Sequence, residues 1–267
     1  MILAVCTVAA FLSVVLPERI AALGASEAKE LTAARTQAAA LHESVSRLWA
    51  DLAPGSPTLT ADQLSRDLAA SQAAEKATGD VLNHISAAQA LLAEADGVPF
   101  QLHHPAYLAT DGPVLQQLQK AMLSELRLTH GATLQLLIAQ HLQADAKDVN
   151  RLGGLIAAND WAGAARASGP VLADLKVRRD AALDPETLLD PLWSKWADAM
   201  VSYSFAVQQY SLAAASGRPS PELSRALGST HDQVGATWAA ANANAASWQA
   251  KSIQTLIDSI SAQLKAA

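Results

Sequence analysis

The chain has 267 residues, enough for one large domain or two modest ones. Alanine makes up more than a fifth of these residues and aromatic residues only 4%, a composition that favours helix over strand. Acidic and basic residues are interspersed at a net charge of −6 without a long basic run, which argues against nucleic acid as a partner.

The first sixteen residues, MILAVCTVAAFLSVVL, carry no charged side chain, and Pro17 follows them. A signal peptide explains this apolar run and offers a cleavage site before Ala25, although no basic residue precedes the run. A membrane anchor is the second interpretation, but sixteen helical residues span only about 24 Å of a hydrocarbon core of about 30 Å. The third is a buried helix of the domain itself. We expect residues 1–24 to be a signal peptide or an anchor that attaches the chain to a membrane through residues 1–16.

The folded part, residues 25–267, begins with two long helix signals. Apolar residues recur on one face through residues 26–52 in steps of three, four and seven, typical of a helix with a packing seam. Thr60 and Gln63 match a capping box, which predicts the start of a second helix that ends before Gly97. These two helices are expected to form a long antiparallel hairpin.

The middle of the chain is less regular. Residues 97–113 are rich in proline and turn residues and predict a long loop, a kind of segment that is often functional. A helix over 113–144 and a shorter one over 146–158 are expected to follow. The tripeptide 159–161 predicts a tight turn, after which a helix kinked at Pro170 continues to about residue 183.

Two proline-containing caps mark the last helices. Asp184-Pro185-Glu186 predicts a helix that runs to about residue 216, and Ser220-Pro221-Glu222 predicts a final helical region that ends near Leu264. The helix pairs differ in length and share no fixed period, which favours an elongated bundle over a repeat array. The sequence therefore predicts an all-α fold, an elongated antiparallel bundle of about five to six long helices with coiled-coil-like seams. A division into 25–144 and 145–267 stays open.

Sequence signatures of common chemistries are absent. No glutamate is followed three residues later by a histidine, and no zinc-protease motif, phosphate loop or nucleophile elbow occurs. The adjacent His103 and His104 would need further ligands to hold a metal ion, so solvated loop residues are the favoured interpretation. We expect no enzyme, no metal site and no cofactor.

Scarce aromatic residues collect in one predicted helix, at Trp193, Trp196, Tyr203 and Tyr210. Rings at this helical spacing can fill a seam opposite alanine or glycine, or they can line a cleft for an apolar or sugar-like ligand. The candidate ligand-binding residues are Trp193, Trp196, Tyr203, Tyr210, His103, His104 and Tyr107.

These patterns together predict a non-enzymatic, extracytoplasmic helical bundle, periplasmic or secreted, that mediates protein–protein interaction or scaffolding. Its partner would be another protein or a second copy of the chain. The alternative is a ligand-binding or sensory bundle that uses an aromatic-lined cleft.

Overall fold

The computed structural model of the chain describes residues 15–53, 59–98 and 105–267, and nearly all of them are helical. These ranges contain seven α-helices and no strand. The helices are α1 (Leu16–Asp51), α2 (Ala61–Asp96), α3 (Ala106–Ala157), α4 (Trp161–Ala182), α5 (Pro191–Ala215), α6 (Pro221–Trp248) and α7 (Thr255–Ala266). A 3₁₀ helix, Pro185–Thr187, lies between α4 and α5, and a π-helical turn, Gln249–Gln254, joins α6 to α7. The predicted all-α helical bundle is confirmed.

Several helix ends lie where the sequence predicted them. The Gln63 N–H donates to the Thr60 hydroxyl at 3.3 Å, and the Thr60 N–H donates to the Gln63 side-chain oxygen at 2.8 Å, which completes the capping box. At the start of α6 the Leu223 N–H donates to the Ser220 hydroxyl at 3.2 Å. The turn between α3 and α4 uses Asn159 in the left-handed region, with φ at 56°. The short polar residues at these positions therefore predicted the helix boundaries correctly.

Other helix ends differ from the prediction. Helix α1 begins at Leu16, ten residues before the predicted start, and Val15 before it is π-helical. Helix α3 begins at Ala106 with Pro113 inside it and continues unbroken to Ala157. The predicted break near residue 145 was wrong, since no proline or glycine interrupts the helix there.

The third difference concerns the start of α5. Asp184 caps only the short 3₁₀ helix, and Leu188 then turns the backbone into the left-handed region at φ 54°. Asp190 provides the cap of α5, and Pro191 is its first residue rather than a disturbance inside it.

The described residues form two compact units. Unit 1 comprises residues 15–47, 73–98, 105–129 and Leu256–Ala267, and unit 2 comprises residues 48–53, 59–72 and His130–Thr255. Helices α1, α2 and α3 each contribute residues to both units. The predicted divisions after residues 24 and 144 stay predictions.

The interior of unit 1 is made of aliphatic side chains and small alanines. Fully or almost fully buried members are Leu31, Ala34, Ala38, Leu41, Val45, Val81, Ile85, Ala88, Leu115, Leu118, Ala121, Met122 and Ile260. Two acidic side chains, Glu27 and Glu125, are buried in the same unit. Burying a carboxylate away from water is costly, so glutamates are rare in a protein interior and these two need a specific explanation.

In unit 2, α4 packs against α5, and α5 also packs against α6. One apolar cluster fills the α4 and α5 side, with Leu152, Ala164, Val171, Leu172, Leu175, Val201 and Val207 buried. Helix α6 buries only a narrow stripe that includes Ala241 and Ala245. Most of the α6 surface is therefore in contact with solvent.

Among the described residues, no helix combines the length and the apolar character that a bilayer-spanning segment requires. Residues 1–14 of the apolar N-terminal segment lie outside the described ranges.

Candidate functional site

The segment before α5 sets the position of the tryptophan side chains in unit 2. The Leu192 N–H donates to Oδ1 of Asp190 at 2.9 Å, and the Asn244 side-chain amide on α6 donates to Oδ2 of Asp190 at 2.7 Å. Both carboxylate oxygens of this buried residue are thus engaged. This arrangement caps α5 and ties its first turn to α6.

Two further hydrogen bonds hold the connection between α4 and α5. The Gln135 side chain on α3 donates to the Thr187 carbonyl at 2.9 Å, and the indole N–H of Trp248 on α6 donates to the Leu188 carbonyl at 3.3 Å. The left-handed Leu188 is therefore restrained from two helices. A connection held in this way presents the first turns of α5 in one orientation.

Three tryptophan rings from α5 and α6 meet at this end of α5. The Trp193 and Trp196 ring centroids are 5.7 Å apart, and both rings contact Trp238 of α6, at 5.2 Å and 5.3 Å. The edge-to-face and tilted arrangements match the geometry that aromatic quadrupoles favour. Trp238 nevertheless leaves 45% of its surface exposed, a high value for the largest apolar side chain.

These rings line an open cleft of about 300 Å³, which we call the tryptophan cleft. Its other walls come from Leu52, Gln135, Ile138, Ala139, Leu175, Arg179, Leu189, Ala197 and Met200. Gln135 and Arg179 are the polar members of this set. A surface made mostly of carbon in a concave site favours an apolar ligand, because such a ligand displaces water that has few hydrogen-bond partners there.

A second cavity of about 350 Å³, which we call the amide cavity, shares the walls Leu52, Gln135, Leu189 and Trp193 with the cleft. Asp190, Asn242 and Gln249 give it a polar side. The Gln249 side-chain N–H donates to the Trp49 carbonyl at 3.1 Å, and that of Gln135 is engaged at Thr187. Each of these two glutamines also carries a side-chain oxygen, which is an acceptor by its chemistry.

Arg179 is the cationic residue of the tryptophan cleft. Its guanidinium donates to Asp180 at 2.6 Å and 2.9 Å and lies 3.8 Å from a carboxylate oxygen of Asp198. Two carboxylates thus offset its charge. The cleft does not present an unbalanced positive charge to a ligand.

The structure separates the predicted aromatic stripe of α5 into three places. Trp193 and Trp196 lie in the tryptophan cleft, whereas the Tyr203 ring packs edge-on against His231 at 5.6 Å and contacts the apolar cluster of unit 2. Burial raises the pKa of the Tyr203 hydroxyl. Tyr210 packs edge-on against Trp161 of α4 at 5.0 Å. One helix face thus carries both cleft residues and packing residues.

The remaining predicted residues lie elsewhere. Tyr107 belongs to unit 1, where its hydroxyl donates to the Ile20 carbonyl at 3.0 Å. A Cβ added to Gly24 would lie 2.8 Å from the Tyr107 ring, so glycine leaves room for this ring. Burial, followed by the charge of Glu27, raises the pKa of Tyr107. His103 and His104 lie outside the described residues.

Trp238 is the cleft residue that sequence reasoning missed. It follows Val234 by four residues and precedes Ala241 by three, which is the spacing of one helix face. The sequence of α6 therefore already placed Trp238 on the face that carries Val234 and Ala241. Gln135 offered no such signal, because its place in the cleft depends on the fold of α3 against the 184–190 segment.

Within residues 15–53, 59–98 and 105–267, no three histidine, cysteine, aspartate or glutamate side chains are grouped closely enough to hold a metal ion. The absence of a metal and of a cofactor stays a prediction.

The fold and the cleft define a class of structure, an all-α helical bundle with an aromatic-lined surface cleft. No protein-family model matches the chain, and no curated protein or solved structure shows significant similarity to it.

Proposed function

We propose that the chain is a ligand-binding helical bundle that holds a small, mainly apolar molecule in the tryptophan cleft of unit 2. One observation carries the proposal: two helices bring Trp193, Trp196 and Trp238 around a concave apolar space of about 300 Å³. A seam whose rings merely fill space would leave no such cleft. Sites for small ligands typically start at about this volume.

The walls of the cleft and of the amide cavity restrict the ligand class. Three indoles and Met200 suit a flat or flexible carbon skeleton. The adjoining amide cavity is lined by the acceptor-bearing side chains Gln135, Gln249 and Asp190, which suit a hydroxyl or amino group at one end of that skeleton. We therefore propose an amphipathic molecule with a hydrogen-bond donor, such as a long-chain or aromatic alcohol or amine.

The binding test uses N-phenyl-1-naphthylamine, a neutral aromatic amine whose fluorescence rises in apolar surroundings. The expected result is saturable binding of one molecule per chain, with quenching of tryptophan emission. Ala197→Leu adds three carbons to the cleft wall and should weaken binding at least about tenfold, a loss of about 1.4 kcal/mol. Ala215→Leu, at the exposed last residue of the same helix, is the matched control and should leave binding unchanged.

Non-saturable binding, or equal binding by both variants, would contradict the proposed site. Helicity measured by circular dichroism checks that both variants fold.

A second candidate function is the docking of a protein partner or of a second copy of the chain. The observation that favours it is the exposure of large apolar side chains in unit 2: Trp238 at 45%, Phe205 at 51% and Leu212 at 52%. Sedimentation of the purified chain distinguishes the two functions. A dimer that Trp238→Ser dissociates would favour docking over ligand binding.

Location outside the cytoplasm, and membrane attachment through residues 1–16, stay part of the proposal. Their support is the uncharged N-terminal segment. The mass of the mature chain isolated from its native cell tests both, since removal of a signal peptide would take away the residues before Ala25. Retention of Met1 in a chain found in the cytosolic fraction would overturn them.

A further inference from the structure

Three helices of unit 1 bring a glutamate, a histidine and a serine into one line of hydrogen bonds. Nδ1 of His42 on α1 lies 2.8 Å from Oε2 of Glu125 on α3. Nε2 of the same imidazole lies 2.7 Å from the hydroxyl oxygen of Ser261 on α7. A nucleophile paired with a base, and a base paired with an orienting carboxylate, are the two contacts that activate a serine. Sequence reasoning missed this set because its members lie far apart in the chain.

Burial gives this line of hydrogen bonds a defined direction. The Glu125 side chain is fully buried and that of His42 is 12% exposed. A buried carboxylate at Nδ1 holds the imidazole proton on that nitrogen, so Nε2 is left as the acceptor. The Ser261 hydroxyl then donates to Nε2, and its oxygen lone pairs are free to attack.

Ser261 differs from other serines of the helices in its hydrogen-bond partner. Ser65, Ser86 and Ser202 donate to the carbonyl four residues earlier, at 2.8 to 2.9 Å. That local bond is the usual partner of a serine inside a helix. Ser261 pairs instead with a base from another helix, and it remains part-exposed to solvent.

The network also has a feature that packing alone does not explain. Oε1 of Glu125 is buried and has no hydrogen-bond partner among the described residues. An unsatisfied buried acceptor costs about 1–3 kcal/mol, more for a charged group, so a purely structural network would gain by replacing it. Such costs are concentrated at functional sites.

We infer that Ser261 is an activated nucleophile that accepts an acyl group from small esters. The Ser261 oxygen forms a bond to the ester carbonyl carbon as its proton passes to Nε2 of His42. The carbon–oxygen bond to the leaving alcohol then breaks, and His42 returns the proton to that alcohol. The products of this first step are acyl-Ser261 and one alcohol. Water then bonds to the acyl carbon as His42 takes one of its protons, the bond from that carbon to the Ser261 oxygen breaks, and His42 returns the proton to Ser261 as the carboxylic acid leaves.

The surroundings of Ser261 restrict the substrate further. Residues 255–266 are helical, and backbone N–H groups past the first turn of a helix are engaged with carbonyls four residues earlier. They cannot form an oxyanion hole, which in acyl transfer is worth about 10²–10³ in rate per donor. The site is therefore limited to activated esters, such as aryl esters, whose leaving group departs readily.

The test treats the full chain with p-nitrophenyl acetate and maps the acetylated residue by mass spectrometry. The expected result is a burst of one p-nitrophenol per chain and an acetyl group on Ser261. Ser261→Ala should abolish the burst, while Ser259→Ala, an exposed serine two residues away on α7, should leave it unchanged. Acetylation confined to surface lysines of the wild-type chain would overturn the inference.

The role of the histidine is tested with His42→Gln, which keeps a polar side chain of similar size. General-base assistance accounts for about 10²–10⁴ in rate, so acetylation of Ser261 should slow at least about 100-fold. His42→Ala should regain part of the rate in added imidazole, an effect that a purely structural histidine would not show. Equal rates in His42→Gln and wild type would contradict the inference even if Ser261 is labelled.

Discussion

The interiors of the two units are filled by different kinds of side chain. Unit 1 packs helices lined with alanine, leucine and isoleucine closely, and it encloses Glu27, Glu125 and much of His42. Unit 2 uses the bulky rings Trp193, Trp196 and Trp238, and an open apolar cleft remains beside them. The comparison teaches that small side chains allow close packing with ionisable groups inside, whereas large rigid rings leave space that a ligand can occupy.

The largest expected effect concerns the close packing of unit 1. Met122 is fully buried, so Met122→Ala should lower the free energy of unfolding by about 2–5 kcal/mol through lost burial and the cavity it leaves. The next residue, Leu123, is 55% exposed, and Leu123→Ala should change the free energy of unfolding by no more than about 0.5 kcal/mol. Urea unfolding followed by circular dichroism measures both. Similar losses for the two variants would mean that unit 1 is not closely packed.

The next effect concerns the order of unit 2 at the cleft. Asp190→Ala removes the cap of α5 and leaves the Asn244 amide without its acceptor, with an expected loss of about 2–3 kcal/mol. Ser220→Ala removes only a cap, that of α6, and should cost about 1 kcal/mol. Thermal unfolding compares the two. If Asp190→Ala costs no more than Ser220→Ala, the link between α5 and α6 contributes little.

A third effect concerns the carboxyl group buried in unit 1. Glu27 is 1% exposed, and neither of its carboxyl oxygens has a hydrogen-bond partner among the described residues while both it and Asp111 are ionised. Burial raises the pKa of Glu27, as do the charge of Asp111 and a hydrogen bond that a protonated Glu27 can form with it, while Arg35 acts weakly in the opposite direction. At pH values between the carboxyl pKa of the unfolded chain and the raised pKa of Glu27, the folded chain therefore holds a proton that the unfolded chain releases.

This proton makes the stability of unit 1 depend on pH. The stabilisation that the protonated Glu27 provides is fully present below the carboxyl pKa of the unfolded chain. It is lost as pH rises through the raised pKa of Glu27. Glu27→Gln should flatten this decline in unfolding midpoints over a series from about pH 4 to 8. Glu43→Gln, on the exposed face of the same helix, should keep the wild-type slope. A wild-type midpoint that rises over this series would contradict the assignment to Glu27.

The smallest expected effects come from three glycines. A Cβ on Gly79 of α2 or Gly228 of α6 meets nothing within 4 Å, so Gly79→Ala and Gly228→Ala should each stabilise by about 0.5–1 kcal/mol. Gly217 ends α5 with φ at 71°, where Gly217→Ala should cost about 1 kcal/mol. Differential scanning calorimetry checks the signs. A stabilising Gly217→Ala would contradict the left-handed end of α5.

Some of the candidate site could be predicted from the sequence. The spacing of Trp193 and Trp196 placed both on one face of α5, and their scarcity elsewhere marked them as unusual. The same reasoning grouped Tyr203 and Tyr210 with them, because a one-dimensional pattern does not tell which helix lies opposite each turn of α5. Trp161 and His231 occupy those places and make these tyrosines packing residues.

The sequence by itself determined the all-α fold and the helix starts at Ala61 and Pro221, because alanine-rich composition, apolar periodicity and the caps at Thr60 and Ser220 act within a few residues of one another. Only the tertiary structure decided which side chains meet. Trp238 joins Trp193 across two helices, and Ser261 joins His42 across 219 positions of the chain. Such contacts depend on how helices pack and in which order, and no local pattern records that order.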